Sequence, residues 1–327
     1  MYSREEIREK VNNFIAQLKY ERAPLALYEP ITYTLSQGGK RIRPVAFLMA
    51  YNLFKEDIET ALYPAVAMEV YHNYTLIHDD VMDKATIRRG QPTVWTKWGE
   101  NEAILSGDTM FVLAYEFLAH VDSDKLPAAL ALFNEMAKEI GEGQQYDMEF
   151  ENMQQVPMEA YMKMIGLKTA VLIACAAKMG AIIGGASLEQ CELLYKYGYD
   201  LGLAFQVADD WLDTFGDPKV FGKAIGGDIL NNKKTWLMIK ALDKASEAEQ
   251  KALHQALEMP METEQQKAEK IAAVIKIYES LGIKEEAKQE IIRLHEQALG
   301  YVAQLGLSDE AVTPLHNYAT ALIGRNK

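Results

Sequence analysis

"PAVAMEVYHNYTLIHDDVMD", residues 64 to 83, opens on a proline, repeats apolar residues at three- and four-residue intervals, and closes on Asp79, Asp80 and Asp83. That spacing predicts a helix with its first turn at Pro64, not a strand. Its apolar residues run round much of the circumference, so the helix belongs in the interior of the protein. Three carboxylates at the end of a buried helix are then the feature to explain.

The helical pattern extends along the chain. Pro127 opens "PAALALFNEMAKEIGEGQQYDMEF", Pro157 opens "PMEAYMKMIGLKTAVLIACAAKMGAIIGG", and "SLEQCELLYKYGYDLGLAFQVADDWLDTFG" covers 187 to 216. No run of strict alternation calls for a sheet, which predicts an all-α fold of long antiparallel helices around an apolar centre. From about residue 235 the chain is amphipathic and charge-rich, as outer helices are. With 327 residues and no shift in composition, it reads as a single domain over 1–327.

Hydrophobic residues make up 49% and charged residues 25%, as in an ordinary folded protein. The net charge of -13 argues against general nucleic-acid binding, which draws on clustered Lys and Arg. It leaves room for a small anion gripped by a local basic cluster. Cys175 and Cys191 lack C-x-x-C spacing and read as reduced, buried thiols. "MYSREEIREKVNNF" has no signal-peptide core, and "TAVLIACAAKMGAIIGGA" at 169–186 is interrupted by Lys178. The latter is predicted to be a core helix, not a membrane span, and the protein cytoplasmic.

The acidic ending recurs: "DDVMD" at 79–83 and "DDWLD" at 209–213 share the form D-D-x-x-D. At about 100° per residue, the first and last aspartates of each stack on one face and the middle one points aside. One such cluster could be a solvated helix end. Two, each at the unfavourable negative end of an apolar helix, require a compensating cation. Magnesium fits, since it takes oxygen ligands from one or two carboxylates and completes its shell with phosphate and water.

Basic residues follow each cluster. Arg88 and Arg89 lie in "KATIRRGQPTVWTKWGEN" at 84–101, Lys223 and Lys233 in "GDPKVFGKAIGGDILNNKK" at 216–234, and Lys168 interrupts an apolar helix. A further patch, "GGKRIRP" at 38–44, adds Lys40, Arg41 and Arg43 beside Gly38 and Gly39. Arginine grips phosphate bidentately and lysine as a point charge, so the set suggests two anionic substrates.

"GGKRIRP", "HDDVMDKATIRRGQPT", "LKT", "FQVADDWLDTFGD", "GKAIGGD" and "NNKKTWL", in this order and spacing, resemble the trans-prenyltransferases, or polyprenyl synthetases, of the isoprenoid synthase fold. The resemblance covers about residues 30 to 240. It implies that Asp79 and Asp83, with Asp209 across a cavity, hold about three magnesium ions on an allylic diphosphate, while Asp80 and Asp213 belong to the same motifs. It assigns Arg88, Lys168, Lys223 and Lys233 to that diphosphate. Gly39, Lys40, Arg43, His72 and Arg89 fall to isopentenyl diphosphate, and Thr169 and Gln206 to the reacting carbons. It also implies a homodimer, and a dimethylallyl, geranyl or farnesyl primer. "NNKKTWL" departs from the Gly and Leu-Pro that many bacterial members carry around the last lysine, but retains Lys233.

Product length depends on what blocks the apolar tunnel below Asp79. Tyr71 and Tyr74 lie about 12 and 7.5 Å along the helix from Asp79, about 80° and 140° from its face. The wheel therefore prefers Tyr71. The family pattern instead emphasises Tyr74 with Thr75 beside it, which resembles short-chain synthases making geranylgeranyl diphosphate, with farnesyl diphosphate or a longer polyprenyl chain as alternatives. A terpene cyclase would need neither "GGKRIRP" nor "DDWLD", and a metal phosphohydrolase would need clustered histidines. A non-catalytic regulatory subunit of a prenyltransferase would be free to lose aspartates that are intact here.

Overall fold

A computed structural model of the protein describes residues 1–217 and 225–324. Among these residues the secondary structure is helical apart from one hairpin, Ile87–Arg88 paired with Gln91–Pro92. The fold is all-α, as the periodicity predicts. The hairpin was not foreseen, and its cause is local. Arg89 and Gly90 both take positive φ, 53° and 74°, the two-residue turn whose twist matches paired strands. Asn-Gly or Asp-Gly usually announces that turn, and Arg-Gly does not.

The chain divides into two units. The first comprises Met1–Glu135, Cys175–Tyr195 and Leu307–Leu315; the second comprises Met136–Ala174, Lys196–Gly306 and His316–Lys327.

In the first unit, the helix Leu62–Met82 packs along Glu100–Leu118. It starts two residues before Pro64, which sits in the first turn where a missing N–H leaves no bond unmade. Every residue of the helix Ile42–Asn52 is buried. Arg41, just before it, is drawn into the core and so leaves the basic patch: it donates to Glu69 Oε1 at 2.7 Å, Asn12 Oδ1 at 3.0 Å and the Leu35 carbonyl at 2.9 Å.

In the second unit, the core gathers Leu203, Val207, Trp211, Leu237, Leu253 and Tyr278. Thr235, Ser246 and Thr263 cap the starts of the helices Trp236–Lys244, Glu247–Leu257 and Glu264–Ser280, each satisfying a backbone N–H of its helix's first turn. Met158–Gly184 is the one described helical run long and apolar enough to cross a membrane. Its residues from Val171 to Ala177 are each 2% exposed or less, as befits a core helix.

The Arg41–Glu69 pair is sealed, at 3% and 2% side-chain exposure. Removing one partner would strand a buried charge. Glu69→Ala is expected to lower the unfolding free energy by about 3–5 kcal/mol, measured by chemical denaturation; Arg41→Met combined with it should recover much of that loss.

Candidate functional site

In the first unit, the helix Leu62–Met82 delivers its aspartates at its C-terminal end. Asp83 is the exposed C-cap, Asp79 is half-buried, and Asp80 is 4% exposed. Asp80 accepts Arg88 Nε on both oxygens, at 2.8 and 3.0 Å. Burial raises its pKa to about 6, the Arg88 guanidinium opposes the rise, and Asp79 and Asp83 add to it. Arg88 is therefore anchored on the middle aspartate while standing on the hairpin.

The next residue of the hairpin, Arg89, reaches the 38–41 turn, where it donates to the Gly38 carbonyl at 2.6 Å. Gly39 takes φ 139°, a conformation that favours glycine, and a side chain there would also come within 3.2 Å of Arg89 Nη2. Gly39 and Lys40 are exposed, while Arg43 is 8% exposed. His72 stays neutral in this company: burial, then Arg43, Arg89, Arg88 and Arg41, push its pKa well below the usual imidazole value. A cleft here is lined by Thr34, Gln37, Asn73, Arg88, Arg89 and Thr93 among others. Asn73 escaped the sequence reading. Its amide donates to the Glu69 carbonyl at 2.8 Å, and its buried Oδ1 has no hydrogen-bond partner.

Along the same helix, Tyr71 and Tyr74 meet edge to face at 5.3 Å between centroids. Tyr71 is buried within an aromatic cluster, 5.9 Å from Phe111 and 5.3 Å from Phe133, whereas Tyr74 is half-buried and lies 5.3 Å from Phe111. Phe111, on the helix Glu100–Leu118, touches both tyrosines. Nothing in the wheel of 64–83 could announce a residue from a neighbouring helix. The Thr75 hydroxyl turns back to the His72 carbonyl at 2.8 Å.

In the second unit, the middle aspartate is again the anchored one. Asp210, 2% exposed, accepts from the Tyr161 hydroxyl, from Gln206 Nε2 at 3.1 Å and from the Trp236 backbone N–H at 3.0 Å. Burial raises its pKa and Asp228 adds to the rise, against the pull of Lys233, Tyr161 and the Trp236 N–H. Gln206 in turn accepts from the Thr169 hydroxyl at 3.1 Å. The two residues assigned to the reacting carbons thus form one chain of hydrogen bonds rooted in Asp210.

Lys168 and Thr169 sit on a π-helical turn, Gly166–Ala170, a distortion that recurs at functional sites. Lys168 donates to Asp147 at 2.6 Å. Gly143 permits the approach, since a side chain there would lie 2.4 Å from the Lys168 backbone nitrogen. Asp209 and Asp213 are half-buried, and Asp213 Oδ2 accepts the Asp228 N–H at 2.9 Å. Burial opposes the charge of Lys233, but Asp228, Asp147, Asp210 and Asp209 outweigh it and hold the ammonium protonated. Lys223 lies outside the described residues.

The profile of the family described as polyprenyl synthetase matches residues 24–276, spanning both aspartate motifs. The chain belongs to the polyprenyl synthetase family. It is 42% identical over 223 residues to a geranylgeranyl diphosphate synthase of Methanosarcina mazei, covering 68% of this chain and 69% of that one. It is 39% identical over 284 residues to a short chain isoprenyl diphosphate synthase of Methanothermobacter thermautotrophicus, covering 86% and 83%. A crystal structure of a geranylgeranyl pyrophosphate synthase superposes with a TM-score of 0.94 at 39% identity, over 100% of both chains.

For a polyprenyl synthetase the donor chemistry suits magnesium. The motif side chains offer hard carboxylate oxygens. One or two carboxylates per ion, with phosphate and water completing the octahedron, is the mode magnesium adopts. Asp147, Tyr161 and Phe111 were missed by sequence reasoning because each acts through a partner distant in the chain, while Asn73, bonded to Glu69 on its own helix, belongs to no motif that would mark it.

Tyr161 is the sharpest of these to test. Tyr161→Phe leaves the buried Asp210 one donor short and is expected to cost about 1–3 kcal/mol in denaturant unfolding. Thr169 and Gln206 should lose their alignment with it, so kcat should fall as well.

Proposed function

We propose that this polyprenyl synthetase condenses isopentenyl diphosphate with an allylic diphosphate, head to tail, and releases geranylgeranyl diphosphate in the cytoplasm. Prenyl transfer follows from the family; the product is supported by the names of the relatives and by Tyr74, the aromatic residue with Thr75 beside it, backed by Tyr71 and Phe111. The depth of that aromatic cluster favours farnesyl diphosphate as the second reading.

In this reading the whole chain acts as one polyprenyl synthetase domain, and both aspartate clusters serve one allylic diphosphate. Asp79, Asp83 and Asp209 would hold about three magnesium ions, with Asp80 and Asp213 supporting the motifs. When bound, magnesium neutralises the diphosphate and makes it a better leaving group.

The chain's own residues do the rest. Arg88, Lys168, Lys223 and Lys233 bind the allylic diphosphate and stabilise the charge that develops as its C–O bond ionises. Gly39, Lys40, Arg43, His72 and Arg89 hold isopentenyl diphosphate, with neutral His72 as a hydrogen-bond donor among guanidiniums. Thr169 and Gln206 present oxygen dipoles to the allylic cation. The double bond of isopentenyl diphosphate attacks that cation, and the departed diphosphate takes the proton. No nucleophilic side chain is required.

The protein is proposed to act as a homodimer. The helix Glu100–Leu118 leaves Leu105 57% and Val112 63% exposed, seven residues apart on one face, which suits a second copy.

Incubation with isopentenyl diphosphate, magnesium and primers of several lengths should yield geranylgeranyl diphosphate; no elongation from any primer would remove the reading. EDTA should abolish turnover, and Asp79→Ala should lower kcat by about 10²–10³ or more. Tyr74→Ala is expected to lengthen the product. Tyr71→Ala and Phe111→Ala should lengthen it further only when combined with it, read by chromatography of the dephosphorylated products.

A further inference from the structure

Lys270 breaks the pattern of the helix that carries it. On Glu264–Ser280, charged residues face outward, yet Lys270 is 1% exposed. A buried ammonium normally finds a carboxylate. Among the described residues burial is the one cause that shifts its pKa, and it does so downward. The hydrogen bond it makes runs to the Leu230 carbonyl, at a long 3.5 Å. A charge kept in the interior at that cost calls for a reason.

Leu230 closes the short helical turn Gly227–Leu230. The opposite end of this turn is fastened by Asp213, whose carbonyl accepts the Gly226 N–H at 2.6 Å and whose side chain accepts the Asp228 N–H at 2.9 Å. Ile271, the neighbour of Lys270, presses on Gly226 so closely that a side chain there would meet its Cδ1 at 2.6 Å. The helix Glu264–Ser280 thus grips the turn at both ends, Ile271 at Gly226 just before its first residue and Lys270 at its last carbonyl. Lys233 hangs directly from this turn: its N–H donates to the Asp228 carbonyl at 2.9 Å, and its ammonium lies 3.9 Å from the Asp228 carboxylate.

We propose that Lys270 is a positioning residue: its buried ammonium, set at the carbonyl end of the Gly227–Leu230 turn, fixes the segment that presents Lys233 to the diphosphate. A cation at the carbonyl end of a helical turn is favourable. It also makes the placement of the turn depend on a group that packing alone would not require. This rests on the reading of Lys233 as a diphosphate ligand.

The test is steady-state kinetics on the full chain with Lys270→Met, which keeps most of the length of the side chain and removes the charge. The expected result is a KM for the allylic diphosphate raised about tenfold, a nearly unchanged KM for isopentenyl diphosphate, and a melting temperature equal to or above that of the parent. Lys270→Arg, which keeps the cation, should restore most of the lost affinity. A Met variant with the parent's allylic KM would overturn the proposal. So would one whose melting temperature falls while both KM values stay put, because the role would then be structural only. Lys233→Ala separates the two failures. If it leaves the allylic KM unchanged, the assignment of Lys233 itself is wrong; if it raises KM and Lys270→Met does not, only the role of Lys270 falls.

Discussion

Carboxylates inside a protein must be compensated, and that constraint organises both halves of this chain. Each D-D-x-x-D motif buries its middle member. Asp80 is compensated by the Arg88 guanidinium, whose Nε–H is shared between both carboxylate oxygens. Asp210 is compensated by a hydroxyl, an amide and a backbone N–H. The two solutions differ in chemistry but have the same effect: the helix end is fixed, and the flanking aspartates are presented from it. A buried charge held by several groups is costly to disturb, so the anchored middle aspartate helps fix the helix end from which the flanking carboxylates project.

The same economy governs the reaction-centre residues. Thr169 bonds to Gln206 and Gln206 to Asp210, so an acidic group that touches no substrate in the proposed chemistry sets the direction of two that do. Orientation of this kind is what converts a polar side chain into a preorganised dipole. The π-helical turn at Gly166–Ala170 contributes in another way. It adds a residue to the very turn that carries Lys168 and Thr169.

Much of this was legible in the chain. The long apolar helices follow from periodicity, and the acidic ends stand out because carboxylates are least welcome there. The geometry of "IRRGQP" was not legible, because Arg-Gly is a weak turn signal, and neither was the fate of Arg41, whose charge is spent on Glu69 in the core. Partners such as Asp147, Tyr161 and Phe111 come from other helices, and a wheel drawn on one segment holds no information about its neighbours. Tyr71 shows the limit best. The wheel separates it from Tyr74 by angle, but holds nothing of the rings from other helices that leave Tyr71 2% exposed and Tyr74 half-buried.

That arrangement bears on how product length can be set. A single aromatic ring packed only against aliphatic neighbours could yield to a growing chain by changing rotamer. Tyr74 contacts Tyr71, Phe111 and His78, and Tyr71 is itself wedged against Phe133, so displacing the first ring requires moving a cluster contributed by three helices. Close packing resists such motion most at Tyr71, which is 2% exposed. In the proposed reading, selectivity would then belong to the cluster as a whole, with Phe133 supporting Tyr71 from 5.3 Å between ring centroids.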